Sequence, residues 1–123
     1  MYFESILFFA AAASSLSDKD EHDAVMFVQS HFTPKVFEIC KSGAGKTPAS
    51  DYDSALNGWL KKNGRAVRHG EHIMRDAAKQ EGKDFERAMA QQDDEAMTQV
   101  KAYSPSELVE HCDYLLSVVR SEL

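Results

Sequence analysis

Two cysteines and five histidines carry most of the chemistry this sequence could offer. His69 and His72 stand three residues apart with Glu71 between them, a spacing that puts both imidazoles on one edge of a helix. Two such ligands can hold a metal ion weakly. A catalytic zinc needs a third ligand and an open position, and neither HExxH nor the paired Glu-x-x-His of di-iron bundles occurs, so His69 and His72 stand as metal candidates beside a reading as solvated polar residues. Glu107 and His111, four apart, fit a hydrogen-bonded surface pair as well as an acid–base pair. Cys40 and Cys112 lack the neighbouring partner of a CxxC motif, a CxxCH haem site or a four-ligand zinc set. Both fall on apolar faces, which points to structure: one disulfide or two buried thiols, depending on compartment. The segment SGAGKTPAS resembles a phosphate-binding loop only in part. The glycine that motif requires five residues before Gly45 is Cys40 here, and no apolar strand precedes it, so the segment reads as a connector. No nucleophile elbow or serine–histidine–acid set is present either. No cofactor and no enzymatic activity are expected.

The element around which these residues must be arranged runs from Tyr52 to Ala78. Its apolar and small residues form one helical stripe: Tyr52, Leu56, Trp59, Leu60, Asn63, Ala66, Val67, Gly70, Ile73, Met74 and Ala77. The stripe stays in phase through Asn63-Gly64, so the spacing predicts one long helix. Trp59, Asn63 and Gly70 are its packing residues. Glycine admits a close neighbour, and a buried asparagine must find hydrogen-bond partners that fix helix register.

Around it the chain reads as further helices. Ser17 or Asp18 caps a helix over about Asp20 to His31. Thr33-Pro34 then restarts the chain into a short helix bearing Val36, Phe37 and Cys40, which stops at Ser42-Gly43. Ser50 with Asp53 gives the start of the long helix. Gly82 is its end or a bend, and Phe85, Ala88 and Met89 mark the next helix. Asp93-Asp94 caps a separate continuation holding Met97, Val100 and Tyr103, or the two pieces are one helix. Ser104-Pro105-Ser106-Glu107 opens the last helix with a capping box, and Leu108, Cys112, Leu115, Leu116 and Val119 share one of its faces.

At 123 residues and 43% apolar content there is room for one domain with an ordinary core. Fourteen basic against twenty acidic residues, with no basic face interleaved with aromatics, disfavour nucleic-acid binding. Residues 1–15 read as a signal-like segment. Ile6 to Ala13 is a short apolar run followed by small residues, with cleavage positions after Ala13 or Ser15. The run is too short for a stable membrane span. Its start lacks a basic residue and carries Glu4. Residues 16–123 then form a single helical domain, periplasmic or secreted, or cytoplasmic if the segment is not a signal.

Taken together, Phe37-x-x-Cys40, the Tyr52, Ala55, Trp59, Asn63 and Gly70 series, and Cys112-x-x-Leu115-Leu116 give a chain that resembles the small secreted helical proteins of proteobacteria, over about residues 24–119. That resemblance implies a disulfide-stapled bundle in the periplasm and carries over no catalytic residues. The expected fold is all-α, a bundle of four or five helices with the long one central. The expected function is a non-enzymatic interaction protein with a protein partner, such as an inhibitor, immunity or accessory factor. The alternative is a small-ligand or metal-binding bundle.

Overall fold

The computed structural model describes residues 16–44 and 46–123. Four helices account for nearly all of them: α1 (Asp18–Ile39), α2 (Ala49–Gln80), α3 (Phe85–Lys101) and α4 (Pro105–Ser121), with a π-helical turn, Cys40–Ala44, ending α1. The expected signal-like segment lies outside the described residues.

α1 begins where Ser17 Oγ accepts from the Asp20 amide, and Asp18, Asp20 and Glu21 place negative charge at its positive end. The break expected at Thr33-Pro34 does not occur, and the helix runs through Pro34 to Ile39. A proline inside a helix costs about 3 kcal/mol. Val36 and Phe37 beyond it are 1% and 2% exposed, and burying each contributes about 1.5–3 kcal/mol, so continuing the helix wins. Phe37 meets Tyr52 of α2 edge-on, with ring centroids 4.9 Å apart.

α2 is one helix through Asn63-Gly64, as its stripe predicts. Its start differs from the expected Ser50 cap. Pro48 occupies the cap position without a side-chain hydrogen bond, and Asp53 instead accepts from Lys41 Nζ at 2.8 Å, with Glu38 on the same ammonium at 2.6 Å. An ion pair from the end of α1 thus reaches the first turn of α2, and the cap position makes no side-chain hydrogen bond. At the other end Gly82 adopts φ 67°, and the amides of Gly82 and Lys83 bond back to the carbonyls of Lys79 and Ala78. This is a Schellman ending, which needs a residue without Cβ strain in the left-handed region.

α1 and α2 cross at Gly70. A Cβ there would lie 1.9 Å from the Asp23 carbonyl oxygen and 2.9 Å from Phe27 Cβ, so only a hydrogen lets the two backbones approach this closely. On one side of the crossing Phe27, Val28, Phe32, Ile73, Met74 and Met89 form one core cluster. Met26, Val36, Phe37, Tyr52, Trp59, Leu115 and Leu116 form the other.

α3 is continuous, capped by Asp84, whose side chain accepts from the Arg87 amide at 2.9 Å. Asp93 caps nothing. Its carboxylate reaches across to α1, meeting His31 Nδ1 at 2.9 Å and the Lys35 ammonium. α4 opens with the capping box in full: Ser104 Oγ accepts from the Glu107 amide and Glu107 accepts from the Ser104 amide. Cys40 and Cys112 form a disulfide, with Cα atoms 5.8 Å apart, that fastens the end of α1 to α4. Among the described residues no helix is long and apolar enough to cross a membrane.

Candidate functional site

α1 packs chiefly along α2 and touches α4 much less. Between α1 and α4 lies a half-open groove of about 470 Å³. Residues 18, 21, 22, 25, 26 and 29 line it from α1, and 111, 114, 115, 118 and 122 from the α4 side. Each set recurs at three and four residues, so each is one helical stripe. Val25, Met26, Leu115 and Val118 supply apolar wall, and Tyr114 stands 66% exposed beside it. Asp18, Glu21 and Glu122 add carboxylates.

Two polar atoms in this lining are buried and have no hydrogen-bond partner among the described residues: Gln29 Oε1 and His111 Nε2. Leaving such an atom unpaired costs about 1–3 kcal/mol, which a ligand group reaching it would recover. Gln29 uses its other end, donating from Nε2 to Glu122 Oε1 at 3.5 Å. The same carboxylate oxygen accepts from Trp59 Nε1 at 3.3 Å. The single tryptophan is therefore wired to the groove through Glu122. Asn63 Nδ2 donates to the carbonyls of Trp59, at 3.0 Å, and Glu122, at 3.4 Å, which ties the end of α4 to α2.

His111 faces inward, and burial pushes its pKa down, so the imidazole is neutral at pH 7. It does not pair with Glu107. That carboxylate is held by the side chain and backbone of Ser104, which lower its pKa.

The histidines singled out as metal candidates lie away from the groove lining and have separate partners. His69 Nδ1 meets Asp23 Oδ2 at 2.6 Å, and His72, itself 73% exposed, meets Asp76 at 3.4 Å. Among the described residues no group of three or more histidines, cysteines or acids is placed to hold a metal ion. His69 instead belongs to a small charge network. Asp23 is 6% exposed and also faces His22 Nδ1 at 3.3 Å. Burial alone would raise the Asp23 pKa, but hydrogen bonds from His69 and His22 outweigh it and hold the carboxyl below its ordinary value.

Sequence reasoning found the Cys40–Cys112 partners but missed the groove and Asp23. A groove needs two stripes that face each other across a gap, and the spacing of either stripe alone reads as core. No protein-family model matches the chain, and neither does any curated protein or any solved structure.

Proposed function

We propose that this is an exported, non-enzymatic interaction protein whose working surface is the α1/α4 groove, and that it holds an apolar segment of a partner protein flanked by basic residues. One observation carries the reading: an apolar lining that contains carboxylates, with two buried polar atoms unpaired among the described residues. Asp18, Glu21 and Glu122 complement cationic flanks, and the walls take the apolar residues between them. A disulfide and the lack of a membrane-spanning helix among the described residues fit an oxidising, extracytoplasmic setting. The signal-like residues 1–15 support the same setting.

Trp59 gives the test. Short amphipathic peptides with lysine flanks should raise the melting temperature and shift the Trp59 emission, because a cation drawn to Glu122 disturbs its bond to the indole. The same peptides with glutamate flanks should do neither. Equal responses to both, or to neither, would overturn the groove as a binding surface for basic segments.

A second reading is supported by the groove's size, which is within the range of small-molecule sites. In it Gln29 Oε1 and His111 Nε2 anchor an apolar amine. A panel of small amines that saturates where the peptides fail would favour it.

A further inference from the structure

In a chain with twenty acidic residues, the stretch from Ser54 to Gly70 contains none, yet it holds Lys61, Lys62, Arg65 and Arg68. All four lie on α2. Lys62 donates to the Leu123 carbonyl. Lys61, Arg65 and Arg68 are exposed, and no ion pair engages them among the described residues. Steps of four and three residues put these three side chains one above another on one face of α2, with neighbouring Cβ atoms about 5–6 Å apart. Like charges at this spacing repel, costing a few tenths of a kcal/mol per pair. Folding gains nothing from the arrangement. Continuing the same steps, the stripe reaches His72, Arg75 and Lys79, where Asp76 pairs with His72 and Glu71 and Glu86 hold Arg75.

We propose that this face of α2 docks on an anionic phospholipid surface. A straight row of cations on a convex helix suits a flat layer of phosphate headgroups, which presents negative charge wherever the row falls. The patch offers no exposed aromatic side chain for a base to stack on, since Trp59 is buried, so a single-stranded nucleic acid gains only charge there. Of the groove's acidic residues, Asp18 and Glu21 belong to α1, and the Glu122 carboxylate is engaged by Trp59 and Gln29. Adsorption is thus electrostatic, without insertion. The groove plays no part in it.

Full-length protein should co-sediment with phosphatidylcholine vesicles containing phosphatidylglycerol and not with phosphatidylcholine alone. Three cations near such a surface favour it on the order of a hundredfold. Binding should vanish when salt shortens the Debye length to about 3 Å. It should also vanish in the Lys61→Glu, Arg65→Glu, Arg68→Glu triple variant, whose melting temperature confirms that it folds. Arg65→Lys with Arg68→Lys should bind as the parent does. Sedimentation that is indifferent to phosphatidylglycerol, or that survives charge reversal, would overturn the proposal. So would vesicle-free self-association that the triple variant abolishes while no vesicle binding is seen.

Discussion

Two glycines of α2, six residues apart, should respond to alanine in opposite directions. At Gly70 the added methyl would sit 1.9 Å from the Asp23 carbonyl oxygen and 2.6 Å from its carbon. Carbon–oxygen contacts settle at about 3.3 Å or more, so α1 and α2 would have to separate by over about 1 Å. Backbone cannot swing aside as a side-chain tip can. The separation would stretch the 2.6 Å Asp23–His69 contact and loosen Phe27 against Ile73 and Met74. Overpacking of this kind costs about 1–3 kcal/mol or more, and alanine's better helix propensity returns about 1. We expect Gly70→Ala to lose about 2 kcal/mol, or roughly 8 °C in melting temperature at this chain length. At Gly64 the methyl meets only the Arg68 Nη1 tip, at 3.3 Å, so Gly64→Ala should gain about 0.5–1 kcal/mol. Urea and thermal unfolding followed by circular dichroism measure both. A Gly70→Ala protein as stable as the parent would refute the backbone crossing.

Replacing both cysteines by serine opens a loop whose ends are 72 residues apart in sequence, and should cost about 4 kcal/mol in the chain-entropy picture, read as a lower urea midpoint. Asp23 titrates below its ordinary value of 3.8 in the folded state, so the unfolded chain binds its proton first as pH falls. Its stabilising contribution is present above that value and lost as pH drops through the lower folded one. Asp23→Asn should flatten this acid limb of the stability curve. His111 is likewise depressed from 6.5, so stability should fall as pH drops below about 6.5, and His111→Gln should remove that step in urea midpoints taken across the window.

Local signals in this chain were legible wherever a short segment decides its own conformation. The Ser104–Glu107 capping box, the proline after Ser104 and the continuity of α2 appear in the structure as read, although Leu60 of its stripe is exposed and Asn63 only half-buried. Failures came where a distant partner decides. Pro34 reads as a restart, yet Val36 and Phe37 packed on α2 carry the helix through it. The spacing around Asp93 fits one helix or two, and α3 is whole, with α1 bringing His31 and Lys35 to the Asp93 carboxylate. Ser50 reads as a cap while Lys41 draws Asp53 away into an ion pair. Asp23 looks like one more acid in a solvated run, and only the crossing at Gly70 brings it beneath His69. The groove belongs to the same class of feature. Its α1 stripe contains Val25 and Met26 and its α4 stripe Leu115 and Val118, residues whose spacing says buried but not against what.

Site-specific photocrosslinking in the native host tests the groove most directly. A benzophenone amino acid at Tyr114, exposed beside the groove, is compared with the same probe at Asn57 on the exposed side of α2. The Tyr114 probe should give one discrete protein adduct, joined through an apolar segment flanked by lysine or arginine, and Val25→Asp should weaken it. The Asn57 probe should give no such band. Identical adduct patterns from both positions, or a Tyr114 adduct indifferent to Val25→Asp, would contradict the groove as the working surface.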